Sequence, residues 1–148
     1  VGILLLDEFV LIPRGPCLFD SYEHPTPAPS PVGDFVVCLD VKMDQSPSSE
    51  MLHAAARLIE RFEQDRELAA QMIFDEYTAL RDDPKGRWWR EECGVPAELQ
   101  RSELHNFLSP RQLSVADDCS AAVYVGPDWD REHGLTYELT PEGWEKLN

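Results

Sequence analysis

Apolar and polar positions fall along this chain in blocks that name most of its elements. Val1 to Leu6 is an apolar run and Phe9 to Ile12 a second, parted by Asp7-Glu8. A buried strand, a turn and a second extended piece are expected there, halted by Pro13-Arg14-Gly15-Pro16. Phe35 to Met43, closed by Asp44 and Gln45, predicts a strand. Ser46-Pro47-Ser48-Ser49-Glu50 carries helix-start chemistry: hydroxyls that accept from free backbone amides, a proline near the first turn, and an acid at the positive end of the dipole. Met51, Leu52, Ala55, Leu58, Ile59 and Phe62 then recur at helical spacing, with Arg57, Glu60, Arg61 and Glu63 on the other side. Leu68, Met72, Ile73, Tyr77 and Leu80 repeat the stripe after Asp65-Arg66-Glu67. One helix across both stripes is long for a domain of this size, so two are expected, at about 48–64 and about 66–82.

Asp82-Asp83-Pro84-Lys85-Gly86 breaks the pattern. A shorter helix after Pro96 presents Leu99, Leu104, Phe107 and Leu108. Leu113 to Val115 and Ala121 to Val125 read as strands, and Leu135, Tyr137 and Leu139 alternate with Thr136 and Glu138. Proline at every second position from Pro25 to Pro31 forbids helix and sheet interior, which makes residues 24–33 a Pro-rich surface loop. Residues 1–148 read as a single globular domain, since a chain of this length buries roughly 70% of its unfolded surface. The predicted fold is α+β: a mostly antiparallel sheet built from the amino-terminal strands and a carboxy-terminal β-hairpin, with two main helices packed on one face.

Charge narrows the partners. There are 28 acids against 13 bases, a net charge of −15, which argues against nucleic acid. Between Lys85 and Arg111 the balance reverses locally, with five bases (Lys85, Arg87, Arg90, Arg101 and Arg111) to four acids. That stretch either steers an encounter or offsets the acidic remainder of the fold. Cys17, Cys38, Cys93 and Cys119 form no CxxC pair, so they read as reduced thiols of a cytoplasmic protein, with neither a zinc site nor a disulfide framework. No run approaches the ~20 apolar residues of a membrane helix. The chain opens on Val rather than Met, so upstream residues are expected to have been removed or left out.

Two stretches carry candidate chemistry. Arg87-Trp88-Trp89-Arg90 sets two indoles between bases, able either to anchor a partner or to close an edge of the core. Trp129-Asp130-Arg131-Glu132-His133-Gly134 gathers an indole, carboxylates, an imidazole and a glycine. Asp130, Glu132 and His133 can act as metal donors, although adjacent strand residues point to opposite faces, so a shared ion requires an irregular loop. A carboxylate beside His133 can instead orient a general base, with Ser114, Ser120 or Cys119 upstream as nucleophile candidates but no nucleophile-elbow glycines around them. His24, His53 and His105 are scattered. The third reading accounts for every residue type in the motif: a hairpin between Val123-Tyr124-Val125 and Leu135-Thr136-Tyr137. In it Asp128 and Asp130 bond loop amides, Trp129 packs over the sheet end, Glu132 and His133 close the turn, and Gly134 takes a positive φ.

The pattern Trp129-Asp130-x-Glu132-His133-Gly134 before an alternating strand resembles the closing signature of a family of uncharacterised bacterial domains of unknown function. The similarity extends through a helix with a Pro-Ser start, a helix ending Ile73-Phe74-Asp75-Glu76-Tyr77, then a short helix and two strands. It covers about 35–140 and implies no activity of its own. Some small acidic domains of this kind look similar to immunity proteins, which neutralise a secreted toxin. The expectation is therefore a non-catalytic cytoplasmic protein-binding module with a protein partner such as a toxin and no metal or cofactor. The alternative is a small hydrolase or metal-dependent enzyme using Asp130, Glu132 and His133. Trp88, Trp89, Arg87, Arg90 and Trp129 are the candidate binding residues.

Overall fold

In the computed structural model, residues 4–12, 19–86, 91–130 and 132–147 are described. They form a seven-stranded sheet whose strands lie in sequence order: β1 Val10–Ile12, β2 Phe19–Glu23, β3 Val36–Lys42, β4 Leu108–Val115, β5 Ala121–Pro127, β6 Leu135–Thr140 and β7 Gly143–Lys146. Neighbours run antiparallel except β3 and β4, which are parallel. A parallel pair requires a crossover, and here it contains α1, Ser49–Asp82, packed on one face of the sheet. The α+β class and the mostly antiparallel sheet are as expected. The expected hairpin is present, with Val123 opposite Tyr137 and Val125 opposite Leu135.

The two predicted helices are one. α1 runs 34 residues without interruption, started by the Ser48 hydroxyl, which accepts the Met51 amide at 3.2 Å. Asp65-Arg66-Glu67 contains no residue that breaks a helix. The Asp65 carboxylate accepts from Arg61 Nε one turn earlier and from Trp144 Nε1 of β7 at 3.0 Å, so the polar interval ties α1 to the sheet edge. Continuity also fixes the phase of the second stripe. Counting on from Leu58 and Phe62, the helical period brings Ala69, Ala70, Ile73 and Tyr77 inward, whereas Leu68 lies 52% exposed.

The core lies between α1 and the inward side chains of the central strands. Val37, Leu39 and Val41 of β3, Leu113 and Val115 of β4, and Val123 and Val125 of β5 are all buried there, and Phe35 meets Phe62 with ring centroids 5.0 Å apart. On the other side of the sheet Gln112, Ser114, Ala122, Tyr124, Thr136 and Glu138 are half-exposed, the alternation of an antiparallel sheet wet on one face.

Several local expectations change. Leu6–Glu8 is a 3-10 turn rather than the end of a buried strand, leaving Leu5 and Leu6 exposed, while Val1 to Ile3 and Pro13 to Pro16 lie outside the described residues. The Pro-rich loop is exposed at Pro25, Thr26, Pro27 and Pro29 but tied down at Ala28, which exchanges two backbone hydrogen bonds with Phe35, and at buried Val32. The short helix is a 3-10 helix, Arg101–Phe107, with Leu104 buried beneath it. Among the described residues no helix is long and apolar enough to cross a membrane.

Candidate functional site

In the loop between β5 and β6 the Asp130 carboxylate gathers the amide and ring of His133. Asp130 Oδ1 accepts the His133 amide at 3.3 Å and the His133 ring at Nδ1 at 3.0 Å, while the Gly134 amide donates to the Asp130 carbonyl at 3.2 Å. The Asp130 amide in turn donates to the Pro127 carbonyl at 3.1 Å. Gly134 sits at φ +67, and a Cβ there would fall 2.6 Å from the Tyr124 ring. The position therefore needs glycine on two counts, handedness and space.

Trp129 turns inward. It is 7% exposed and lies against Tyr77 of α1 with ring centroids 5.7 Å apart. Tyr77 is wholly buried, and its hydroxyl donates to the Pro96 carbonyl at 2.7 Å. Burial pushes the Tyr77 hydroxyl above the usual phenol range, and burial raises Tyr137 as well, with Glu76 and Asp75 adding to the shift. Both tyrosines pack their rings in the core and point their hydroxyls at backbone carbonyls, Tyr77 at Pro96 and Tyr137 at Met72.

A cavity of about 360 Å³ opens beside the loop. Its apolar wall is Leu80, Pro127, Trp129 and Leu135; its polar rim is the Asp130–His133 pair on one side and Glu76 with Lys146 of β7, 2.7 Å apart, on the other. Glu76, Leu80 and Lys146 are not among the site residues expected from the sequence, where Leu80 figures only in the apolar stripe and Glu76 only in the resemblance. The stretch Ile73 to Tyr77 and the stretch Trp129 to Gly134, both part of the resemblance, meet at this place. No local pattern pairs them, because the contact spans the crossover and two strands.

The motif's members do not all converge. Asp130 and His133 come together, but Glu132 is exposed, makes no hydrogen bond or ion pair with a described residue, and is not part of the cavity wall. The expectation that Glu132 helps close the turn is therefore corrected: the carboxylate that meets His133 is that of Asp130. Cys119 and Ser120 line a different cavity, with Arg57 and Arg61, and Ser114 lies on β4 opposite Ala122. Among the described residues no group of three or more His, Cys, Asp or Glu side chains is placed to hold a metal ion. His24 bonds Glu8 at 2.9 Å, His105 donates to the Ser102 carbonyl, and His53 is exposed on α1.

Two bases of the locally basic stretch are used within the fold. Arg101 pairs with Glu67 of α1 at 2.7 Å, and Arg111 donates to the carbonyls of Asp34, His105 and Leu108. Arg87, Trp88, Trp89 and Arg90 lie outside the described residues. Among the described residues Cys38, Cys93 and Cys119 form no disulfide.

Residues 23–140 match the family described as a domain of unknown function, DUF6985. The chain belongs to the DUF6985 family. The match takes in β3, α1 and the β4–β6 meander, so it includes every element around the Trp129 cavity except β7 and its Lys146. No curated protein and no solved structure matches the chain.

Proposed function

We propose that this DUF6985 domain is a non-catalytic protein-binding module of the immunity type, bacterial and cytoplasmic, that receives a basic protein partner such as a toxin. The observation that carries the reading is the solvent face of α1, where Glu60, Glu63, Glu67, Asp75 and Asp82 follow one another at helical spacing, all exposed, on a chain of net charge −15. A rigid helix carrying such a row speeds and orients encounter with a basic surface. The β5–β6 loop supports the same reading, since the Asp130 carboxylate is engaged by its own loop and Trp129 is part of the core. Trp88 and Trp89, between Arg87 and Arg90, are the candidate aromatic anchors.

The test is co-expression with the products of neighbouring reading frames, followed by calorimetry on any complex. A basic partner should bind with an affinity that falls as salt rises, and Glu60→Lys with Glu63→Lys should slow association. The absence of any such partner, or binding indifferent to salt and to both reversals, counts against the reading. The second reading, a small hydrolase or metal-dependent enzyme using Asp130, Glu132 and His133, is favoured by the opening of the Asp130–His133 pair onto a cavity. Loss of a measured turnover in Asp130→Ala with the fold intact would install it instead.

A further inference from the structure

Nearer the amino-terminal end of α1, away from the Trp129 cavity, a second concavity sets two arginines side by side on a chain of net charge −15. Arg57 and Arg61 are one turn apart, so their side chains share a face of the helix. They face the turn between β4 and β5, where Cys119 adopts φ +70 and Ser120 donates its amide to Asp118 Oδ1 at 2.9 Å, and the end of β6 at Glu138 to Pro141. Together these enclose a cavity of about 520 Å³, within the range of small-molecule sites.

The two guanidinium groups are held differently. Arg61 is oriented through Nε by Asp65, which Trp144 fixes in turn. Arg57 makes no ion pair or hydrogen bond with any described residue, on a chain whose acids outnumber its bases 28 to 13. Two carboxylates share the wall. Asp118 is turned back onto its own turn, where hydrogen bonds from Ser120 hold it below the usual carboxylate range, and Glu138 stands on β6. Ala54, Ala121, Leu139 and Pro141 give the rest of the wall an apolar character.

We propose that this cavity binds a small molecule bearing an oxyanion, a carboxylate or a phosphate, gripped between Arg57 and Arg61 with its uncharged body against Ala54, Ala121, Leu139 and Pro141. The planar guanidinium fork suits both oxyanions. This site is independent of the protein-binding reading and shares none of the α1 residues on which that reading rests.

The experiment titrates the whole chain with inorganic phosphate and, separately, with acetate, each against sodium chloride at matched ionic strength. Binding is followed by calorimetry and by protection of Cys119 from iodoacetamide, mapped by mass spectrometry with buried Cys38 as the internal reference. Saturable binding by either anion beyond the chloride control, with Cys119 protected, is expected. Phosphate binding tighter than acetate assigns a phosphorylated ligand, and the reverse order a carboxylate. Arg57→Ala should weaken binding about tenfold, from the loss of a charged hydrogen bond. Arg57 is exposed and pairs with no described residue, so its variant keeps the fold, which circular dichroism checks. Binding no better than chloride, or affinity unchanged in Arg57→Ala, overturns the proposal.

Discussion

Replacing Trp129 by Ala asks whether the β5–β6 loop is part of the core or an exposed device. The indole is 7% exposed and packs on Tyr77, itself wholly buried and tethered to Pro96. Removing a buried aromatic costs about 3–5 kcal/mol, the lost transfer energy plus that of the void left behind. Trp129 forms part of a cavity wall, so the void joins space already open to solvent, and the lower end, about 3 kcal/mol, is expected. Against a total stability of about 5–15 kcal/mol this is a large fraction. It should lower the melting temperature by roughly 10 °C and the urea midpoint by about 1–3 M. The control is His133→Ala: its ring is 72% exposed, so the pair with Asp130 should contribute less than about 1 kcal/mol. Urea titration followed by far-ultraviolet circular dichroism measures both. A Trp129→Ala variant within about 1 kcal/mol of the parent, or a His133→Ala variant equally damaged, would refute the assignment of Trp129 to the core and of His133 to an exposed clasp.

Two further outcomes follow from the packing. The Asp65 carboxyl is held below the ordinary aspartate value of 3.8, chiefly by the hydrogen bond from Arg61 and also by that from Trp144, against the opposing effect of burial. Because its folded value is depressed, its contribution is fully present above 3.8 and is lost as pH falls through the folded value. Melts from about pH 7 to about pH 3 should therefore show an advantage over Asp65→Asn, about 1 kcal/mol, that shrinks at the acid end; a constant gap across that range contradicts the linkage. Gly126→Ala would set a Cβ 2.7 Å from the Ser109 carbonyl oxygen and 2.9 Å from Pro110 Cδ, on the neighbouring strand, where backbone cannot yield. A loss of about 1–3 kcal/mol in chemical denaturation is expected, and a neutral variant would show that β4 and β5 can part there.

What was legible in the sequence was whatever a local period can encode. Phe35 to Met43 contains β3, the alternation after Gly134 is β6, and Ser48 caps α1 as its chemistry suggests. What escaped depends on distant partners. Asp65 looks like a helix restart until Trp144, far along the chain, is seen to donate to it. Phe19 to Glu23 becomes β2 by pairing with β3, although Asp20, Ser21 and Glu23 weaken its strand signal. Gly143 to Lys146 is too short to read as β7, yet Lys146 supplies a cation beside the Trp129 cavity. The loop motif itself was readable down to the φ of Gly134, but its partners Tyr77, Glu76 and Leu80 come from α1, and only the folded chain brings them near.

The parallel junction of β3 and β4 also bears on how the molecule assembles. Every other strand pair is antiparallel and closed by a far shorter connection, so β1–β3 and β4–β7 are two locally wired halves that can zip up while the remainder of the chain is still unformed. Val36 meets Gln112 only after α1 has bridged the gap between them, and the entropy of closing that long loop is concentrated in one seam. The helix whose outer face carries the acidic row is thus also the staple that makes one sheet out of two.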